Sequence, residues 1–462
     1  MAQQLQIAQP ITLPCGLTLP NRLVKAAMAE NMAAAASGLP NDDFVRVYDE
    51  WAKGGWGMVL TGNVMIDHKW LGDVRDTAYN HSVEYAKQLE LWTKWAATCQ
   101  SSSGTSPTIV QINHAGRQAV AQAKKRGWFD KPLAPSAIPL DFGNSFVHRL
   151  AVSVSFGNPR AMVQDDIDSV VKGFVTTARL ASEAGFAGIQ IHAAHGYLLA
   201  QFLSPKSNQR TDAYGGSARA RAKIVVDIIH AVRKVVPREF CVGMKLNSVD
   251  HQSAEDLQGC LEQLDEITTA GIDFLEISGG TYEDPTFILN REHQELEEQQ
   301  QNQQPTEKSA RTKAREAFFI EFAESIRKAI PNNVPLVLTG GFRTRVGMES
   351  ALSDNACDMV GIARPAVMNP HWAKDVLLNP AVSDEDATIK VKVVPPPLAQ
   401  KLVKVKALGA SAEAVSYDPT PTLRTCEKKM SWVRKLTYSF SRLYLGVVCC
   451  PDTSLWQINV LT

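Results

Sequence analysis

The chain has 462 residues, with 48 Lys and Arg against 48 Asp and Glu, and so carries no formal net charge at pH 7. The chain therefore has no global field that recruits nucleic acid or an anionic membrane. A content of 45% hydrophobic and 21% charged residues supports a sizeable core and excludes disorder over most of the length.

The opening run Met1-Ala2-Gln3-Gln4-Leu5-Gln6 lacks the basic start and apolar stretch of a secretory signal, which predicts an intracellular, cytoplasmic chain. Eight cysteines, at 15, 99, 241, 260, 357, 426, 449 and 450, include no CxxC pair. That scatter predicts neither a disulfide scaffold nor a zinc or iron–sulfur framework, so redox chemistry would come from an organic cofactor.

In chain order, short apolar segments bounded by turn residues are predicted as strands at 22–28, 57–61, 108–113, 188–192, 241–246, 274–278, 336–339 and 359–363. Between them, 41–53, 83–99, 165–184, 218–235, 254–270, 313–329 and 344–355 carry apolar residues at helical spacing, as Val170, Phe174, Ala178 and Ala181 do. Nearly continuous apolar strands belong to a covered parallel sheet, and an eightfold alternation predicts an α/β fold, a closed (β/α)8 TIM barrel. An open doubly wound sheet is the alternative. Against it, Gly54-Gly55-Trp56-Gly57 precedes its strand instead of following it, and no GxGxxG opens the first helix.

Two connections exceed what a plain barrel needs. The excursion after the third strand, from Asn113 to Gly188, contains Pro132, Pro135, Pro139 and Pro159 and is expected over the barrel mouth. The stretch 292–307 is rich in Gln and Glu and reads as a solvated insertion. Residues 1–378 are therefore taken as the barrel and 379–462 as a C-terminal extension, with Pro395-Pro396-Pro397 as a stiff spacer. Within the extension, 424–442 is basic and is followed by Cys449-Cys450. It reads either as a membrane contact through 424–450 or as a tail packed on the barrel or a second subunit.

A barrel works at the C-terminal ends of its strands. The fourth end carries His192-Ala193-Ala194-His195-Gly196-Tyr197. Two imidazoles three apart on a turn can converge as metal ligands or as donors to one oxygen. A metal would want a third ligand, and Asp67 and His68 lie several residues beyond the second strand. The seventh and eighth ends carry Thr339-Gly340-Gly341-Phe342-Arg343 and Gly361-Ile362-Ala363-Arg364-Pro365. In barrels these two loops often bind phosphate: glycines admit the phosphate to backbone N–H groups, and Arg343 or Arg364 would complete the clamp. Gln111, followed by Asn113-His114-Ala115-Gly116-Arg117, suits the edge of a planar heterocycle, and Lys245 would stabilise its anionic form. A phosphorylated, planar ligand able to bear negative charge fits FMN. PLP is the alternative, with Lys25 or Lys245 as its Schiff-base lysine.

Residues 192–216, HAAHGYLLAQFLSPKSNQRTDAYGG, resemble the signature of the Old Yellow Enzyme family of FMN-dependent ene reductases. Supporting pieces in the family's order are Pro20-Asn21-Arg22, Met28, Gln111 with His114–Arg117, Pro132–Ser136, Pro159–Met162, Thr339–Gly341 and Gly361–Pro365. The resemblance covers about residues 8–375. It implies that Ala27, Met28, Asn63, Gln111 and Lys245 surround the flavin ring, while Gly340, Gly341, Arg343, Gly361 and Arg364 hold the phosphate. His192 and His195 would bind the substrate oxygen and Tyr197 would donate the proton. The implied activity is ping-pong: NADPH or NADH reduces FMN, which then reduces the activated C=C bond of an α,β-unsaturated carbonyl compound. The alternatives are a flavin barrel running dehydrogenation, isomerisation or NAD(P)H oxidation, and a non-catalytic scaffold. Ala29 stands where relatives often place Cys or Thr, Ala27 replaces a common Pro, and Lys245 sits where Arg is frequent. The cysteines that ligate an iron–sulfur cluster in larger relatives have no counterpart in the spacing.

Overall fold

Eight parallel strands close on themselves: β1 (Leu23–Lys25), β2 (Met58–Met65), β3 (Thr108–Asn113), β4 (Gly188–Ala193), β5 (Cys241–Asn247), β6 (Phe274–Ser278), β7 (Leu336–Thr339) and β8 (Met359–Ile362). Closure is made by β1, where Val24 stands in register with Gly361 of β8 on one side and Met58 of β2 on the other. The computed structural model describes residues 5–388 apart from 35, 101–105, 122, 124–125, 128, 143–145, 248–253, 279–321 and 323–324, together with the backbone of Val391–Val394 and Ala414–Tyr417. The Gln/Glu-rich stretch 292–307, the spacer Pro395–Pro397, the basic stretch 424–442 and Cys449-Cys450 lie outside the described residues. So does most of the predicted helix 313–329, of which 322 and 325–329 are described as helical.

Every residue of β2, β3, β4 and β5 is buried, as a parallel sheet covered on both faces requires. Two strands depart from their expected bounds. β1 ends at Lys25, because Ala26 N donates to Ile362 O at 2.9 Å and the chain then leaves the ladder. β2 runs on past residue 61 because a register shift between Leu60 and Asn63 lets it continue. Its tip then pairs with Thr77–Ala78.

The covering helices are α1 (Asp42–Ala52), α2 (Tyr85–Gln100), α3 (Gln164–Ala184), α4 (Ala218–Arg233), α5 (Ala254–Thr269) and α6 (Arg345–Ser353). Three of them start at side-chain caps: Asn41 accepts from Phe44 N, Ser217 from Ala220 N and Thr344 from Gly347 N. α3 stops at Gly185, whose φ of 95° is one that a residue with a Cβ rarely adopts. On the outside of the barrel, Trp95 of α2 meets Phe44 and Tyr48 of α1 edge-on.

The N-terminal end of the barrel is plugged by a hairpin, Ile11–Thr12 against Thr18–Leu19. Leu13 and Leu19 sit in one cluster with Met58, Cys241, Phe274 and Met359, the first residues of β2, β5, β6 and β8. At the other end, the excursion after β3 is tied to the loop after β4. Arg210 donates to Pro135 O (3.0 Å) and Met162 O (2.7 Å), and Gln209 N donates to Ser136 Oγ (2.9 Å). The excursion therefore stands at the C-terminal face. Past β8, buried Arg345 clasps the chain by donating to the carbonyls of Val376, Leu377, Asn379 and Val382 while pairing with Asp384.

Candidate active site

His192 is the fifth residue of β4 and faces into the barrel. Three residues later the chain reverses, with His195 at φ 57° and Gly196 at φ 71°. A Cβ at Gly196 would stand 2.6 Å from Gln118 Nε2, the group that donates to His195 O at 2.9 Å, so only glycine serves there. The reversal brings the two imidazoles together: His195 Nδ1 lies 3.3 Å from His192 Nε2, and His195 Nε2 lies 3.3 Å from Ser278 Oγ at the end of β6.

The tautomers follow from one backbone bond. Ala194 N donates to His192 Nδ1 at 3.2 Å, so the His192 proton sits on Nε2. That N–H points to His195 Nδ1, which leaves the His195 proton on Nε2. The site thus holds two Nε2–H donors for which an incoming oxygen competes. Burial holds His192 far below the ordinary value of 6.5, helped by His195 and then Lys245; burial, then Lys245, does the same for His195. Both rings are neutral at pH 7. Tyr197 packs edge-on against His192 with ring centroids 5.0 Å apart, and opens the short helix Leu198–Leu203. Among the described residues no third ligand joins the imidazoles, so the metal reading of the pair lacks support. Much of 192–216 is scaffolding: Asn208 Nδ2 donates to Phe202 O and Tyr214 O, and Ser207 Oγ to Gln201 O.

Below this pair a buried polar chain crosses four strands. Gln111 Nε2 donates to Gln190 Oε1 (2.7 Å), Gln190 Nε2 to Glu276 Oε2 (2.6 Å), and Lys245 Nζ pairs with Glu276 Oε1 (3.2 Å). The structure so joins Gln111 to Lys245. It does so through Gln190 and Glu276, two residues that sequence reasoning missed. Their signal was a polar residue inside each apolar strand, at an inward position shared with His192 in β4. Asn63 stands opposite Gln111 in register, and Ala27 and Met28 are buried just beyond β1.

Lys25 points elsewhere. Its Nζ donates to Leu60 O at 2.9 Å and sits 4.1 Å from the ring of Trp51 in α1, outside the barrel wall. Burial lowers it to about 8, partly offset by Glu30. Lys25 is therefore not placed for a Schiff base at the mouth. Glu30 accepts from Gly62 N (2.7 Å) and from the Tyr48 hydroxyl, and so supports the irregular stretch of β2.

The seventh and eighth strand ends are adjacent, with Thr339 in register with Gly361. Thr339 Oγ1 occupies the space a Cβ at Gly361 would need, 1.8 Å away. Gly341 has φ 75°, and a Cβ built on it would meet nothing within 4 Å. Arg343 follows in the same loop, and Arg364 opens the helix Arg364–Met368. Open space over a glycine backbone, a helix start and two arginines fit a phosphate. The unpaired carboxamide of buried Asn113 and the unpaired Thr339 Oγ1 are further polar atoms that a bound cofactor or substrate would satisfy. The residues present fit FMN.

Comparison with known proteins agrees. The family model for NADH:flavin oxidoreductase / NADH oxidase matches residues 6–379. An NADH-dependent flavin oxidoreductase of Hypocrea jecorina is 44% identical over 413 residues, 89% of this chain and 99% of the relative. One from Talaromyces variabilis is 46% identical, over 89% of this chain and 96% of the relative. A Neonectria relative is 47% identical over 89% of this chain, which spans only 53% of that protein. Among solved structures, an old yellow enzyme homologue from Zymomonas mobilis superposes with a TM-score of 0.62 at 22% identity, over 82% of this chain and 94% of its own. Morphinone reductase in complex with tetrahydroNAD does so at 0.60 and 21%, over 79% and 89%. The chain belongs to the NADH:flavin oxidoreductase / NADH oxidase family, with the barrel of the Old Yellow Enzymes, and is an FMN oxidoreductase with a nicotinamide hydride donor. Among the described residues no helix is long and apolar enough to cross a membrane.

Proposed function

We propose that this chain reduces the activated C=C bond of a small α,β-unsaturated carbonyl compound with electrons from NADH or NADPH, in ping-pong order. The observation that carries this reading is the neutral imidazole pair, His192 and His195, with the Tyr197 ring against it. Bound FMN supplies the two-electron carrier between the nicotinamide and the substrate. Ala27, Met28, Asn63, Gln111 and Lys245 would border its ring, and Gly340, Gly341, Arg343, Gly361 and Arg364 its phosphate.

The chain's own residues manage the charge. Adding hydride at the β-carbon pushes negative charge onto the carbonyl oxygen, and N–H donors fixed beforehand stabilise that charge most where water is excluded. His192 and His195 meet this need through their Nε2–H groups without placing a cation in the site. The Tyr197 hydroxyl would deliver a proton to the α-carbon. Gly72 packs beside it, with a Cβ there 3.7 Å from Tyr197 Cε1, so the loop after β2 helps to shape the substrate side.

The test is anaerobic mixing with NADH or NADPH, then addition of cyclohexenone, while the flavin absorbance is followed. Bleaching followed by recovery supports the reading. Bleaching that oxygen but no enone reverses would replace it with an oxidase, and a protein without a flavin band would leave a scaffold.

A further inference from the structure

At the end of the barrel opposite the imidazoles, three donor groups from distant parts of the chain meet. Cys15 lies in the turn of the N-terminal hairpin, Cys241 is the first residue of β5, and Asp273 immediately precedes β6. One ligand atom of each, two sulfurs and a carboxylate oxygen, lie within 4.8 Å of one another, and all three residues are buried. Cys15 and Cys241 are both free, buried thiols. Asp273 Oδ2 accepts from Arg233 (2.6 Å) and from Val242 N (2.7 Å).

We propose that Cys15, Cys241 and Asp273 form a binding site for one thiophilic divalent cation, zinc or a close equivalent, that fastens the N-terminal hairpin to the barrel floor. Distance, charge and donor chemistry point the same way. Zinc takes sulfur at about 2.3 Å and carboxylate oxygen at about 2.0–2.2 Å, which sets tetrahedral sulfurs ~3.8 Å apart. Donors already within 4.8 Å need only a small inward shift of the hairpin turn. Two thiolates and a carboxylate, less the charge of Arg233, sum to minus two, which a divalent ion neutralises with release of the two thiol protons. Oδ1 of Asp273 takes the metal while Oδ2 keeps its bonds to Arg233 and Val242, the kind of support that orients a ligating carboxylate. Cys15 is 9% exposed, so water can supply the fourth ligand and the ion has a way in. Such a site is separate from FMN and can be tested without turnover.

The experiment uses the reduced holoprotein, stripped with a chelator and titrated with zinc against a chromophoric competitor, then with cobalt. One zinc per chain is expected, with cobalt giving strong tetrahedral bands to the red of the flavin absorption. Bound zinc should shield Cys15 and Cys241 from maleimide, as mapped by mass spectrometry. Cys15→Ala, in a turn at the edge of the core, should remove the ion while retaining FMN. Asp273→Asn should weaken zinc by at least about ten- to a hundredfold, the loss typical even when only a ligand's supporting partner is removed. Equal zinc uptake by wild type and Cys15→Ala, a pale octahedral cobalt spectrum, or thiols labelled equally with and without zinc would overturn the site. The labelling experiment on wild type decides the matter even where a variant folds poorly.

Discussion

Lys245 Nζ stands 3.2 Å from Glu276 Oε1 inside the barrel, with side chains 4% and 0% exposed. The cation proposed to face the flavin is thus half neutralised from behind by its own strand neighbour. Breaking a buried pair from one side costs about 3–5 kcal/mol, because the remaining charge is left uncompensated. Glu276→Gln should therefore lower stability by that order in denaturant titrations. It should also make the FMN midpoint potential more positive, since an unopposed Lys245 favours an anionic reduced ring. An unchanged potential would place Lys245 away from the flavin.

Tyr197→Phe keeps the ring against His192 and deletes one hydroxyl. Reduction by NADH should proceed at nearly the wild-type rate, while the enone half-reaction slows by about 10²–10⁴, the usual contribution of a positioned general acid. Stopped-flow traces of the two half-reactions give the ratio directly. Equal slowing of both would remove Tyr197 from proton delivery.

The two imidazoles make stability depend on pH with a definite sign. Burial holds both below the ordinary 6.5 and pushes His114 down to about 4. Above pH 6.5 these histidines are neutral in the folded and unfolded chains alike, and their contribution is flat. As pH falls below it, the unfolded chain gains protons that the native chain refuses. Stability then drops by up to about 1.4 kcal/mol per pH unit for each ring. Denaturant midpoints at pH 7, 6 and 5 should show this slope, and His192→Asn should reduce it. A slope identical in the variant would mean that His192 titrates normally in the fold.

Gly341→Ala tests the phosphate end. A Cβ there meets nothing in the protein, but φ is 75°, so the fold should lose only about 1–2 kcal/mol from left-handed strain. The methyl would instead fill the space proposed for phosphate. FMN retention on gel filtration should fall much further than melting of the apoprotein suggests. Full FMN occupancy in the variant would move the phosphate away from this loop.

Local patterns carried the barrel, because each strand is mostly apolar and the helices carry their own apolar stripes, three of them behind a side-chain cap. The pair His192 and His195 was visible for the same reason, being three residues apart on one turn. Contacts between distant residues were not visible. Gln190 and Glu276 are ordinary polar residues until strand register sets them side by side with Gln111 and Lys245. The meeting of Cys15 with Cys241 likewise depends on the hairpin folding back under the barrel, which no spacing of cysteines announces. The length of β2 was missed because Thr61-Gly62 breaks its apolar run, and the strand continues through a register shift that Glu30 and Tyr48 support at Gly62 N.

The plug has a consequence for how the protein is made. Leu13 and Leu19 share one core cluster with Phe274 and Met359, and Val24 completes its ladder with Gly361. The hairpin and β1 therefore gain part of their contacts early, from β2, and complete them only once β8 is in place. Until then the cover over the hairpin's leucines is incomplete, and a chain in which β8 has not yet paired keeps both of its sheet edges open. Closure that waits on such long-range contacts is slow and exposes the chain to aggregation, so folding of this barrel should lean on chaperones until β8 docks.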